Sequence, residues 1–218
     1  MVSPTTLAER LLDALHQTNS HDLPNQVLSL QSLINLLDMD EATRLDAVGR
    51  EYLRRLRAVA DKIEGQVSFL KAISSLARHV PKMSAIDLPD LFRELQAEAR
   101  SVLETPLTWS VHLAVHTVKG DHDLLYPSLG DLLKAMVECV SPRTAKAVHI
   151  ASSRAAERTV VEMAVSGLGL EKRAAIMGQR SEVQLARERL RLLGIDLHVG
   201  AARSDCLSVT LTFSPSDA

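Results

Sequence analysis

Two stretches of this chain carry residues at alternating steps of four and three, and that rhythm restricts the fold more than any other feature. Leu23, Val27, Leu30, Ile34 and Leu37 make the first series. Tyr52, Leu56, Val59, Ile63, Gln66, Leu70, Ile73 and Ala77 make the second. Such steps hold one stripe of an α-helix against a partner, as in a coiled coil. The intervening "DMDEATRLD" is short and polar, so the helices are expected to fold back as an antiparallel hairpin. One hairpin cannot bury both apolar seams by itself. Two copies packed as a four-helix bundle can, and a homodimer is expected. Pro81 then ends the second helix, because proline disfavours helical geometry in the residue before it. Residues 1–82 therefore read as one domain.

At the head of the first seam stands "SHDLPNQ", residues 20–26. On a helix His21 lies about 200° from Leu23 and about 40° from Asn25. A seam turned inward presents His21, Asp22 and Asn25 to water. A neutral imidazole is a good phosphoryl acceptor near neutral pH. A neighbouring carboxylate, Asp22, can hold the other ring N–H and stabilise developing positive charge. Asn25 can orient a water or a phosphoryl oxygen without adding charge. The same three residues also fit a plain solvated helix face.

The remainder, 83–218, has a different pattern. "IDLPDLFRELQAEARSVL" places Asp87 as a cap ahead of an amphipathic helix. "LTWSVHLAV" alternates like a strand, and "HDLLYPSLGDLLKAMVECV" is helical with Leu125, Leu129, Leu132, Leu133, Met136 and Val140 on its apolar face. "KAVHIAS" and "TVVEMAV" are alternating strands joined through "SRAAER". A helix begins at Ser181, with Glu182 in its first turn, and ends at Gly194; "IDLHVGAARSDCLSVTLTFS" closes as a hairpin. Helices on one face of a mixed or antiparallel sheet give an α+β sandwich.

Charge and composition exclude several function classes. The formal net charge is −2, with no basic block, so a nucleic-acid surface is not expected, and "RERLRLL" reads as the wet side of a helix. No apolar run is long enough to cross a membrane, and the N-terminus lacks the marks of a signal peptide. Cys139 and Cys206 have no metal or redox spacing and suit a reducing cytoplasm. His112, His116 and His122 read as scattered surface residues rather than a metal site.

Taken together, the whole chain resembles the catalytic region of a two-component sensor histidine kinase. That region has a dimerisation and histidine-phosphotransfer hairpin followed by an ATP-binding domain of the GHKL class. "SHDLPNQ" resembles its H-box, which implies His21 as phospho-acceptor, Asp22 as acid/base neighbour and Asn25 as the residue used in dephosphorylation or transfer. Many family members carry proline five positions after the histidine. Here that position is Gln26 and the proline comes early, as Pro24, a form similar to dimeric sporulation phosphotransferases and to citrate-sensor kinases.

The resemblance also exposes departures in the nucleotide motifs. The family's N-box, N-L-L-x-N-A-x-K, falls on Asp131 to Glu138. Its second asparagine becomes Ala135 and its lysine Glu138, leaving Asp131 as a vestige. Of the G1 box D-x-G-x-G only Gly167 and Gly169 persist, and the adenine-reading aspartate becomes Val165. A glycine-rich G2 box is reduced to Gly178, unless "GLGL" itself is that box. No metal ligand and no cofactor is expected on this chain. The resemblance thus implies a cytoplasmic phosphotransferase that passes a phosphoryl group between receiver-domain aspartates through His21, the receiver of the response regulator supplying magnesium. Two alternatives stand beside it: a kinase that autophosphorylates His21 with ATP at a divergent site, and a non-enzymatic dimeric module with a vestigial His21.

Overall fold

The structure, a computed structural model, describes residues 23–41, 45–102, 107–140, 146–166, 176–203 and 206–214. Contacts divide the chain into residues 1–79 and 80–218. Among the described residues no helix is long and apolar enough to cross a membrane.

In the first unit α1 (Leu23–Glu41) pairs with α2 (Ala47–Leu76). Asp46 caps α2, its Oδ1 accepting from the Gly49 N–H at 2.7 Å. Val27 and Ile34 of α1 are buried, as are Leu53, Ala60 and Val67 of α2, and both sets recur every seven residues. Gln31 Nε2 donates to Glu64 at 2.7 Å and Arg57 pairs with Asp38 at 3.0 Å. These pairs stand one heptad apart on each helix and run in opposite directions, so the hairpin is antiparallel. Its seam differs from the expected one. On α2 the buried heptad is offset by one position, and Tyr52, Leu56, Val59, Ile63 and Leu70 stay exposed, together with Leu30 and Leu37 of α1. The apolar stripe of each helix is wider than one neighbouring helix covers. Leu56 and Ile63, for instance, sit about 60° around α2 from Leu53 and Ala60. One edge of the stripe closes the hairpin and the other remains open.

The second unit runs β1 (Ser84–Asp87), α3 (Leu88–Val102), β2 (Leu107–Leu113), β3 (Thr117–Gly120), α4 (His122–Cys139), β4 (Lys146–Ala155), β5 (Arg158–Ser166), α5 (Ser181–Leu192), β6 (Ile195–Arg203) and β7 (Cys206–Phe213). Five strands form a mixed sheet in the order β2-β4-β5-β7-β6, parallel between β2 and β4 and antiparallel elsewhere. Alternate residues (Val148, Ile150, Val161, Met163, Val165, Leu207, Val209, Leu211) are buried on one face. They form the core with Phe92 and Leu95 of α3, Leu125, Leu129, Leu132 and Met136 of α4, and Val183, Ala186 and Leu190 of α5. This is the expected α+β arrangement.

Local chemistry sets the element ends. Asp87 Oδ1 accepts from the Asp90 N–H at 3.0 Å, the expected cap of α3. Asp121 caps α4, and Gly194 takes φ 68° just after α5, where a Cβ would be strained. Two features depart from the sequence reading. The four-residue strands β1 and β3 pair antiparallel in a sheet of their own, too short for alternation to reveal. The "SRAAER" loop is mostly strand: Ala155 pairs with Arg158 around a two-residue turn in which Ala156 has φ 55°. α5 begins at Ser181 with Glu182 in its first turn, as expected, and Arg180 at the cap position makes no side-chain cap.

Candidate functional site

His21 and Asp22 lie outside the described residues; Asn25 falls in the first described turns of α1 and is exposed. Pro24 stands beside it, and α1 continues from there as helix to Glu41. Burial of Val27 and Ile34 fixes the rotation of α1, leaving Asn25 and Leu28 on the open side. The register of Gln31 with Glu64 and Asp38 with Arg57, extended by one heptad, sets Pro24 opposite Lys71. Those residues frame a groove of about 260 Å³ lined by Pro24, Asn25 and Leu28 of α1 and by Glu64, Ser68 and Lys71 of α2. Among the described residues Lys71 makes no hydrogen bond or ion pair, so its ammonium can meet an anion beside Asn25. The α2 contribution to this groove was missed from the sequence. Counting back from the hairpin loop places Lys71 near the start of α1, and that is the signal that would have found it.

In the second unit the structure gives the N-box positions other partners. Asp131 accepts from Arg189 Nη1 of α5 at 2.6 Å. Burial raises its pKa in spite of the guanidinium beside it. Glu138 is bonded to Arg180, which also lies 3.6 Å from Glu182. Ala135 is buried between these two ion pairs on α4, and Val165 is fully buried in the core face of β5. Gly167 and Gly169 lie outside the described residues. Gly178 is described, and its carbonyl accepts from Gln184 Nε2 at 2.6 Å. A magnesium–nucleotide complex needs oxygen ligands for the metal and an acceptor for the adenine amino group. Ala135 and Val165 supply neither, and the carboxylates of Asp131 and Glu138 are held by arginines. These positions do not fit that complex.

The three histidines stand apart. His112 Nε2 lies 3.0 Å from Ser110 Oγ, whereas His122 stacks on Tyr126 with ring centroids 5.4 Å apart. The His116 carbonyl accepts from the Leu88 N–H at 2.7 Å. Among the described residues no three His, Cys, Asp or Glu side chains are grouped to hold a metal.

No family model matches the sequence, and no curated protein matches it. Solved structures do share the fold. The Acinetobacter baumannii histidine kinase AdeS is 14% identical with a TM-score of 0.64, over 90% of this chain and 98% of that one. Full-length ShkA, solved in complex with AMPPNP, is 18% identical with a TM-score of 0.60, over 96% of this chain but 47% of its own. This chain thus spans about half the length of ShkA. The catalytic domain of the histidine kinase ThkA, in a nucleotide-free form, is 12% identical with a TM-score of 0.51 over 62% of this chain. The fold is thus shared with the histidine kinases AdeS and ShkA and, over 62% of the chain, with the catalytic domain of the histidine kinase ThkA.

Proposed function

We propose that this chain is a dimeric histidine phosphotransferase of two-component signalling. The reading rests above all on the α4–α5 ion pairs Asp131–Arg189 and Glu138–Arg180, which engage the carboxylates at two N-box positions. His21 receives the phosphoryl group from an aspartyl-phosphate on a receiver domain. The imidazole nitrogen attacks phosphorus, an N–P bond forms, and the acyl-phosphate O–P bond breaks to release the carboxylate. The other ring N–H stays on the imidazolium and is held by Asp22. Transfer onward reverses these steps, with the carboxylate of a second receiver as nucleophile. Such transfer depends mainly on positioning, with magnesium supplied by the receiver. The groove with Asn25 and Lys71, and Leu28 exposed at its edge, supports docking of a receiver beside His21.

The open apolar edge of the hairpin supports the dimer. Leu30, Leu37, Leu56, Ile63 and Leu70 are all exposed, and a second copy would cover them. The kinase reading is favoured by one observation, the fold shared with ShkA, which was solved with AMPPNP.

Incubation with a receiver carrying labelled aspartyl-phosphate tests the proposal. Label should pass to the wild-type chain and not to His21→Gln. Labelling of His21 from ATP and magnesium alone would establish the kinase instead. No transfer from any receiver of the source organism would leave a non-enzymatic regulatory module.

A further inference from the structure

At the end of the main sheet, away from α4 and α5's ion pairs, a cavity of about 220 Å³ opens beneath β3. One wall is a single row across the sheet. Arg154 pairs with Thr159, Thr159 with Phe213, and Phe213 with Ile195. By the alternation of β4, Arg154 shares its face with Val148, Ile150 and Ser152, the face on which the core is built. Arg154 ends that series where the buried positions stop, and its side chain is exposed at the mouth of the cavity, as is that of Lys119. Lys119 of β3 lines the same cavity, and no carboxylate is among the described lining residues. Neither cation makes an ion pair or hydrogen bond with a described residue. Two like charges on one small cavity repel, and an anion between them turns that repulsion into attraction.

We propose that this cavity binds a small organic anion, with Arg154 and Lys119 holding its carboxylate or phosphate group. Thr159 can add a hydroxyl donor, and Phe213 and Ile195 form an apolar wall for the rest of the molecule. Arginine suits this role because its planar fork can donate two parallel hydrogen bonds. The volume lies below the roughly 300–1,000 Å³ of drug-sized pockets, so the ligand has about one ring or a short chain. The site is independent of His21 and of the phosphotransfer reading.

Titration of the full chain, isotope-labelled, with benzoate, phenyl phosphate, acetate and inorganic phosphate tests it through the amide resonances of Arg154, Thr159 and Phe213. At least one aromatic anion should shift these amides saturably and bind about tenfold tighter than its non-aromatic counterpart. The better of benzoate and phenyl phosphate identifies the head group. Arg154→Gln and Lys119→Gln should each weaken binding about tenfold or more, and Arg154→Lys, which keeps the charge but loses the fork, should fall between wild type and Arg154→Gln. Absence of saturation by both aromatic anions would overturn the site. So would affinity unchanged in both glutamine variants, or acetate and inorganic phosphate binding as tightly as the aromatic anions.

Discussion

Asp121 makes a demanding test of how the second unit is held together. Its side chain is 2% exposed. Oδ1 accepts from the Asp123 N–H at 2.9 Å as the cap of α4, and Oδ2 accepts from the Lys82 N–H at 2.6 Å, fastening the segment before β1 to the head of that helix. Asp121→Ala removes both acceptors. Loss of a helix cap costs about 1 kcal/mol. A Lys82 N–H left without its acceptor adds about 1–3 kcal/mol. The sum is a loss of about 2–4 kcal/mol. Asp121→Asn keeps one acceptor oxygen and should lose roughly half as much. Trp109, the one tryptophan, stands on β2 of this unit and reports its unfolding. In urea, with a slope of about 1–3 kcal/mol per molar, the Asp121→Ala midpoint should fall by about 1–2 M. A fall equivalent to less than about 0.5 kcal/mol, or equal losses in the two variants, would refute this account.

Other perturbations follow from the same geometry. Burial outweighs Arg189 and raises the pKa of Asp131. A raised folded value means its stabilising contribution is present below the ordinary aspartate pKa and lost as pH rises through the folded one. Asp131→Asn should therefore cost no more than about 1 kcal/mol at neutral pH and remove that acid-side component, measurable by urea titration at pH 4 and pH 7. Glu98 accepts from the Tyr126 hydroxyl at 2.6 Å, and that bond is the main cause of the phenol being pushed up to about 12. In Glu98→Gln the ultraviolet titration of Tyr126 should move back toward about 10. Ala156 holds φ 55° in the β4–β5 turn, so Ala156→Gly should stabilise the second unit by about 0.5–1 kcal/mol in thermal unfolding. Ile63→Glu puts a charge on the open edge of the hairpin and should turn a dimer into monomer by sedimentation, with the helical signal retained. A monomeric wild type would remove the dimer from the proposal.

The sequence by itself determined the elements whose signal is local and repeated. The heptad steps mark α1 and α2, the alternation marks β2, β4 and β5, and Asp87 and Gly194 mark helix ends, because each depends on neighbours within a turn or two of the chain. Of the expected polar face of His21, Asp22 and Asn25, the structure describes Asn25, exposed on α1. Tertiary structure alone decided which edge of each apolar stripe closes the hairpin. Periodicity gives the centre of a stripe, whereas burial depends on how much of its width one neighbour can cover; hence Leu53, Ala60 and Val67 are inside while Leu56 and Ile63 are not. It also decided that Lys71 stands opposite Pro24, and that Asp131 and Glu138 meet Arg189 and Arg180 from a helix some forty or more residues away. Ion pairs between distant segments leave no periodic trace in a sequence, since one charge at each end satisfies them.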